Sequence, residues 1–253
     1  MKQRTKTTYC GAALALALIA SPGTSRAELS GSISLDLNSH FISYGADVWA
    51  GGGDDGWSFN PTLSLGYTLN EQVSFNAGVW MDANSNSVTR GVARSYGVAE
   101  TDTWIGVAYD AGLVTGSVTL QNWQYGSDSE EILDFGLSVD TFLSPSLTLH
   151  KRLSAGGSGG KNGWFAVFNA AHSIDVTEQI SVTIPAQIGF ALADFHTTDT
   201  GYGFANIGVK VSFALTESSS VNVNVKYWDT DGGVTGNGDT NFLTYGVGAS
   251  FAF

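Results

Sequence analysis

Apolar and polar residues alternate with a period of two along almost the whole chain beyond residue 27. In the run at 29–38, Leu29 and Ile33 fall on one face, whereas Ser34 and Asp36 fall on the other. Successive side chains of a β-strand point to opposite faces of its sheet, so this alternation predicts strands. Eleven further runs show the same pattern, at residues 57–69, 72–82, 98–109, 113–124, 131–141, 146–152, 164–174, 180–193, 203–215, 221–228 and 242–253.

The runs at 146–152 and 164–174 alternate less clearly than the others, whereas the run at 180–193 alternates cleanly but contains a proline. The run at 164–174 does not show by its pattern which of its faces is apolar. Pro185 stands inside the run at 180–193, and a proline within a strand predicts a bulge or a lost ladder hydrogen bond. Neither irregularity changes the prediction of twelve strands.

The lengths of the runs and of their connections indicate a barrel that crosses a membrane. Most runs have 9–14 residues, which suits a tilted spanning strand of 9–11 residues better than a soluble β-sandwich strand of about 5–6. Short connections alternate with longer ones rich in Gly, Asp, Asn and Ser, as in an up-and-down outer-membrane barrel. We therefore expect an all-β fold, a transmembrane antiparallel barrel of about twelve strands in residues 28–253. The longer connections are 39–56, 83–97, 125–130, 153–163, 194–202 and 229–241.

Aromatic residues cluster near the ends of the predicted strands. Tyr67, Tyr109 and Phe213 lie on the side of the short turns. Two levels of aromatic rings resemble the interfacial girdles of membrane barrels. The polar faces carry mostly Ser, Thr, Asn and Gly with little charge, which argues against a soluble sandwich. The aromatic residues nearer the long loops are Trp57, Phe59, Tyr125, Phe190 and Tyr227.

Residues 1–27 have the pattern of a cleaved secretory signal peptide. Three basic residues within the first ten precede an apolar stretch at 11–20, which is too short to span a bilayer. Ser25 and Ala27 place small residues at positions −3 and −1 of a cut after Ala27. We therefore expect that the chain is exported and that the mature protein begins at residue 28.

The charge balance narrows the possible functions. The chain has 11 Lys and Arg against 23 Asp and Glu, and a net charge of −12. Four of the basic residues lie in the segment 1–27, so the remainder carries −16. An acidic chain repels phosphate, and we expect no nucleic-acid partner. Charged residues are only 13% of the chain, about half the usual share, as expected if much of the surface faces lipid.

The last predicted strand ends in an aromatic residue. Phe253 is the final residue, and Phe251 and Tyr245 fall on the same face of the strand. This pattern resembles the recognition signal of Gram-negative outer-membrane proteins. The resemblance implies Tyr245, Phe251 and Phe253 as an assembly signal, the barrel-assembly machinery as a partner, and an outer-membrane location among lipid and lipopolysaccharide.

The polar faces of the strands are expected to line the lumen, and their ionisable side chains are the candidate functional residues. Acids outnumber bases among them, which favours cations over anions. The alternative interpretation is that these acids pair with the few lumenal bases and stabilise a filled interior. Trp80, Trp104 and Trp228 also have inward parity, and they would form a sugar-stacking track or occlude the pore. The ionisable candidates are Asp36, Asp82, Glu100, Asp102, Asp134, Asp140, His150, Arg152, Lys210 and Lys226.

In strand number the chain is similar to small monomeric porins, such as the oligogalacturonate- and sialic-acid-specific channels and the nucleoside channel. The resemblance is architectural, without a shared motif, and implies passive diffusion of small polar solutes with no cofactor. The acidic-sugar channels have lumens rich in basic residues, whereas only seven basic residues follow residue 27 here. We therefore expect a porin-like channel that prefers cations.

An outer-membrane enzyme is a second hypothesis. An outer-membrane phospholipase also has twelve strands, but no His of this chain begins the H-x-S-N-G type of motif found in that family. Asp194, His196 and Asp199 fall in one predicted outer loop, where a His–Asp pair like that of an omptin protease would have to form. The sequence assigns no catalytic residue.

Two further hypotheses concern the outer loops. Asp229 and Asp231 begin like a calcium-binding loop, but Thr240 stands at the twelfth position, where such a loop has Glu. We assign no metal site. A structural or adhesive barrel without transport is the last hypothesis, and the moderate length of the loops offers it little binding surface.

Overall fold

The computed structural model is a closed antiparallel barrel of twelve strands, which confirms the predicted fold class. It describes residues 28–49, 57–84, 88–89, 92–93, 97–125, 128–154, 163–197 and 199–253. Strands that are consecutive in the chain pair with each other, and the last strand closes the barrel against the first. The strands are β1 (Glu28–Asn38), β2 (Ser58–Thr68), β3 (Val73–Asn84), β4 (Gly97–Asp110), β5 (Val114–Tyr125), β6 (Asp128–Val139), β7 (Ser146–Arg152), β8 (Trp164–Asp175), β9 (Ile180–Ala191), β10 (Gly201–Thr216), β11 (Ser219–Thr230) and β12 (Asn241–Ala252).

The apolar face of each strand points out of the barrel and the polar face points into the lumen. Leu35, Val223 and Val247 point outward with 40%, 53% and 46% of their surfaces exposed, although they are apolar. Such exposure is unfavourable in water but suits a surface that faces hydrocarbon. The alternation therefore separates an apolar outer surface from a polar lumen, as predicted.

The barrel closes where β1 meets β12, and the C-terminal residue takes part in this seam. Gly31 and Phe253 exchange two backbone hydrogen bonds, of 2.8 and 2.9 Å. The Phe253 ring lies over Gly31, where a larger residue would collide with it. Tyr245 and Phe251 are half exposed on the outward face of β12. The three residues of the expected assembly signal thus lie on one side of the last strand.

The structure settles the irregular strands. In β8, Phe165, Val167 and Asn169 face the lumen, because they pair with the lumenal residues of β7 and β9. Between the described strands β9 and β10, pairing passes from Thr183–Lys210 to Ala186–Ile207, so Pro185 lacks a partner on that side. The lost ladder bond is the outcome predicted for this proline.

One girdle assignment and one loop length differ from expectation. Tyr125 pairs with Glu100 on the lumenal face and packs against the buried aromatic cluster, so it does not belong to the outer girdle. β5 and β6 extend to Tyr125 and Asp128, so only residues 126–127 remain of the connection expected at 125–130. Strand pairing continues through residues that look loop-like in sequence because their neighbours complete the ladder.

The remaining regular structure is small. The pairs Ile42–Ser43 with Ala46–Asp47, and Val88–Thr89 with Val92–Ala93, form two short hairpins between barrel strands. A four-residue helix, α1 (Gly232–Thr235), follows β11. Across the described residues, no helix is long and apolar enough to cross a membrane. The expected signal peptide at 1–27 lies outside the described residues.

Candidate functional site

The lumen is the candidate functional site, and it is filled unevenly. Its half nearer the long loops contains a buried aromatic cluster that includes Trp123, Phe165, Phe195, Phe204 and Trp228. The other half is lined by smaller polar side chains, because the inward positions of β1, β2 and β12 are mostly Ser, Thr, Asn and Gly. Any passage through the barrel must therefore cross the aromatic half.

Residues 39–49, which follow β1, fold into the aromatic half of the lumen, and we call them the plug hairpin. Ile42–Ser43 pairs with Ala46–Asp47 across a two-residue turn formed by Tyr44 and Gly45. Both turn residues have positive φ, 50° for Tyr44 and 86° for Gly45. Two positive φ values identify a type I′ turn, the turn whose twist matches a tight hairpin.

Tyr44 is the tip of the plug hairpin and is surrounded by rings from the barrel wall. Its ring centroid lies 4.7 Å from that of Phe195, 5.5 Å from that of Trp123 and 5.5 Å from that of Phe165. Its hydroxyl lies 3.1 Å from Nδ1 of His150. Burial, with the nearby Asp134 carboxylate second, raises the pKa of Tyr44 well above its usual value. The tip is therefore neutral and locked into an aromatic socket.

Polar contacts from two other segments hold the flanks of the plug hairpin. The Asn237 side chain accepts a 2.8 Å hydrogen bond from the Asp47 amide and donates one of 2.9 Å to the Gly45 carbonyl. Trp49 donates from its indole to Asp82, at 2.8 Å. These contacts reach from β3 and from the loop after β11, so the hairpin is bound on several sides.

His196 provides a further contact to the plug hairpin. Its Nε2 donates to the Ser43 carbonyl at 3.1 Å, and its ring packs against Tyr44 and Phe195. Burial, followed by the positive charge of Arg152, lowers the pKa of His196 from 6.5 to about 4. His196 is therefore neutral at neutral pH. In the described structure it bonds to this carbonyl and not to a carboxylate, so the His–Asp pair of the enzyme hypothesis does not form at His196.

Two carboxylates in the lumen are engaged by the predicted residues Arg152 and His150, as in the alternative interpretation of a filled interior. Asp134 is a predicted lumenal residue, whereas Glu130 falls in the connection expected at 125–130. Arg152 and Glu130 are completely buried and their charged groups lie 3.3 Å apart. The guanidinium of Arg152 also lies over the Phe195 ring, 4.4 Å from its centroid. His150 and Asp134 form a second pair, at 2.7 Å. These pairs brace the wall around the aromatic socket.

Asp82 is held by hydrogen bonds from neutral side chains. It is fully buried and accepts hydrogen bonds from Ser58, from Asn60 at 3.2 Å and from Asn84 at 2.6 Å, besides the bond from Trp49. A carboxylate with this many donors is well solvated by the protein itself. Asp82 therefore has a structural role at the base of the plug hairpin.

Within the described residues, two cavities inside the barrel adjoin the plug hairpin. The inner cavity, towards the short turns, has about 490 Å³ and is lined by Trp80, Asp102, Gln187 and Lys226 among others. The outer cavity has about 470 Å³. Ser43, Glu100 and Trp123 line both cavities. These three residues therefore form the partition between the two spaces.

The other predicted residues have different positions. Lys226 lines the inner cavity, with its ammonium 5.2 Å from the centroid of the Trp228 ring. Lys210 faces the lumen but is exposed, nearer the short turns. Asp36 faces the lumen and accepts a 2.9 Å bond from Ser34. Asp140 lies in the turn after β6 and is exposed, so the structure places it at the rim and not within the lumen.

The outer-loop acids considered for calcium are engaged in the fold. Asp231 caps α1, and its Oδ1 accepts from the amides of Gly233 and Val234 at 2.8 and 3.2 Å. Asp229 accepts from the Tyr202 hydroxyl. Within the described part of the chain, no group of three or more His, Cys, Asp or Glu side chains is arranged to hold a metal ion.

The plug hairpin and Phe195 are the functional residues that sequence reasoning missed. The segment 39–49 was predicted only as part of a long outer loop. A signal was present, because this stretch carries Phe41, Ile42, Tyr44, Val48 and Trp49, far more apolar residues than a solvated loop needs. A loop with that composition must bury itself somewhere. In a barrel, the available place is the lumen.

No protein-family model and no curated protein sequence matches the chain. Solved structures do match it. An outer membrane channel from Pseudomonas putida F1 is 12% identical, with a TM-score of 0.57 over 92% of this chain and 100% of that one. The NanC porin is 11% identical, with a TM-score of 0.50 over 87% and 98% of the two chains. The KdgM porin in complex with oligogalacturonate is 10% identical, with a TM-score of 0.47 over 88% and 99%. On the first two matches, the chain has the fold of small outer-membrane porins and channels.

Proposed function

We propose that the protein is a porin-like channel of the outer membrane, through which small hydrophilic solutes diffuse passively. The observation that carries this proposal is a pair of adjoining cavities inside a closed barrel whose outward face is apolar. Such a molecule sits in lipid and offers a polar route through it. The fold shared with an outer membrane channel and a porin supports the same function. Lipid, lipopolysaccharide and the assembly machinery are its proposed partners.

The plug hairpin narrows the proposed route. A solute that enters the outer cavity reaches the inner one past Ser43, Glu100 and Trp123, the residues that both cavities share. Ser43 belongs to the hairpin, whereas Glu100 and Trp123 belong to the wall. Passage therefore depends on displacement of the hairpin, and the wall residues at the partition contact each solute that passes.

A preference for cations is part of the proposal. Glu100 and Asp102 line the inner cavity, whereas Asp82, Glu130 and Asp134 are engaged by partners. Among the described residues, neither Glu100 nor Asp102 forms an ion pair with a basic side chain. Acidic groups at a narrow point raise the local concentration of cations.

The test is the current through protein refolded into a planar lipid bilayer. We expect discrete conductance steps and, in a KCl gradient, a reversal potential of the sign that indicates cation preference. Absence of conductance above leak would overturn the channel proposal. A reversal potential of the opposite sign would overturn only the cation preference.

Matched double variants test whether the cation preference depends on Glu100 and Asp102. Changing Glu100→Gln together with Asp102→Asn removes two lumenal carboxylates, and we expect the reversal potential to move towards zero. The control is Asp175→Asn with Glu178→Gln, which removes the same two side-chain types at the exposed short-turn rim. An equal shift in both double variants would show that selectivity follows net charge and not the cavity.

A further inference from the structure

The inner cavity has a row of three side chains that are suited to one class of solute. Trp80 of β3 pairs with Asp102 of β4, and Asp102 pairs with Trp123 of β5. Directly opposed residues of neighbouring strands lie about 5 Å apart, so the row places a carboxylate between two indole rings. All three side chains line the same cavity.

The plug hairpin completes the aromatic surround of this row. The Phe41 ring lies 5.0 Å from the Trp80 ring, and the Tyr44 ring lies 5.5 Å from the Trp123 ring, measured between centroids. Faces of aromatic rings carry partial negative charge and attract cations, most strongly when the site is shielded from water. The row and the hairpin therefore place four aromatic rings beside the carboxylate of Asp102.

The carboxylate of the row has unused hydrogen-bonding capacity. Oδ1 of Asp102 is buried and accepts no hydrogen bond from the protein. A buried carboxylate oxygen without a donor is costly, and a cation held close to it offsets part of that cost by its charge.

Lys226, on another wall of the cavity, does not donate a hydrogen bond to Oδ1 of Asp102. Lys226 is the one Lys or Arg that lines the inner cavity in the described structure, and its ammonium lies against Trp228. Lys226 belongs to β11, five strands around the barrel from β4. The cavity is also lined by neutral hydrogen-bonding side chains, among them Gln121, Gln187 and Asn224.

We propose that the inner cavity binds a small organic ammonium cation, with its head between Trp80 and Trp123 against Asp102 and its uncharged polar part towards the amides. The inference rests on the proposed channel function, since it names the class of solute for that site. A metal ion would need several oxygen ligands around one point, whereas aromatic faces supply none. An ammonium head uses the rings and the carboxylate together.

The first test compares two probes that differ in charge but hardly in shape. Choline and its neutral isostere 3,3-dimethylbutan-1-ol are titrated into the full barrel in detergent micelles, with tryptophan fluorescence and calorimetry as readouts. We expect choline to bind at least tenfold more tightly, because cation–π and carboxylate interactions need the charge. Equal affinities, or tighter binding of the neutral isostere, would overturn the proposal.

Single-residue variants test whether choline binds at the row formed by Trp80, Asp102 and Trp123. We expect Asp102→Asn and Trp80→Ala each to weaken choline binding at least tenfold, and Asp175→Asn, at the rim, to leave it unchanged. Unchanged binding in both cavity variants would overturn the proposal. If a cavity variant does not fold, the two-probe comparison on the unaltered protein still decides.

The binding assay also separates this proposal from the channel proposal, because it needs no membrane. Protein that conducts ions but does not favour choline over its isostere contradicts the ammonium site alone. Protein that favours choline but conducts no current supports the site and contradicts the channel.

Discussion

Arg152 and Glu130 have no exposed surface, and their pairing shows how single residues shape this lumen. The guanidinium holds a carboxylate on one side and lies over the Phe195 ring on the other. Phe195 in turn packs against Tyr44 at the tip of the plug hairpin. The buried Arg152–Glu130 pair thus supports the aromatic rings that surround Tyr44.

Replacing Arg152 with Met tests this brace. The change leaves the Glu130 carboxylate buried without its cation, so we expect the free energy of unfolding to fall by about 3–5 kcal/mol. Urea unfolding of protein refolded into phospholipid vesicles, followed by tryptophan fluorescence, measures it. The control is Lys151→Met, the same kind of change on the outward face, where we expect a change within about 1 kcal/mol. Equal midpoints for the two variants would contradict the role of the pair.

At the residue scale, parity predicted which side chains enter the lumen, but not what they do there. The inward positions of Asp82, Asp134 and Glu100 follow from alternation alone. Their different partners depend on strand register. Asp134 lies opposite His150 because β6 and β7 pair in the register that also places Leu133 opposite Lys151. Register depends on the whole sheet, and one sequence does not reveal it. Asp140 shares the inward parity but lies past the end of β6, and strand ends are the least predictable bounds.

The plug hairpin is the element that separates the inner cavity of the lumen from the outer one. Its two strands have two residues each, too few for alternation to show. Its turn places Tyr44 at a positive φ, which a non-glycine residue adopts only when its surroundings compensate. Those surroundings come from β5, β8 and the segment after β9. The pairing of the hairpin was therefore not predictable locally, although the apolar composition of the segment indicated burial and the barrel strands were predictable.

Gly45 is the position where the plug hairpin is most sensitive to change. It has φ of 86°, and a Cβ there would lie 2.6 Å from Cδ1 of Phe204. We expect Gly45→Ala to displace the hairpin and raise the mean single-channel conductance. Gly112→Ala is the matched control, because Gly112 has φ of 93° with nothing within 4 Å of the added carbon. A rise in conductance in Gly112→Ala as large as in Gly45→Ala would contradict the mechanism.

At the scale of the whole molecule, the fold was the most predictable property. Twelve alternating runs, short and long connections in turn, and low charge all follow from one requirement, a closed sheet in lipid. The lumen is less constrained, because it can be filled by wall side chains, by a loop or by water. The two cavities and the hairpin between them therefore appear only in three dimensions.

The hydrogen bond from His196 to the plug hairpin predicts that the conductance of the channel depends on pH. His196 has a pKa of about 4 when docked against Ser43 and 6.5 when released. Between these values the released state binds the proton more readily, so docking weakens as pH falls from 6.5 to 4, by up to about 1.4 kcal/mol per pH unit. The facing groups are the Arg152 cation, which opposes protonation, and the neutral Tyr44.

We therefore expect the mean conductance to be higher at pH 4.5 than at pH 7.5 in planar bilayers. His196→Gln keeps a donor for the Ser43 carbonyl but does not titrate, so its conductance should not rise on acidification. His172→Gln, on the outward face of β8 near the short turns, is the control and should respond as the unaltered protein does. An unchanged acid response in His196→Gln would assign the effect to another group.

The plug hairpin has one more consequence, which is kinetic. It is continuous with β1, so when it leaves its socket it remains tethered beside it. A tethered segment has an effective concentration on the order of millimolar at its own site. Its return is a first-order event that depends neither on the number of channels nor on the solute. The current through a single channel is therefore expected to flicker, with open times that stay constant as the solute is diluted.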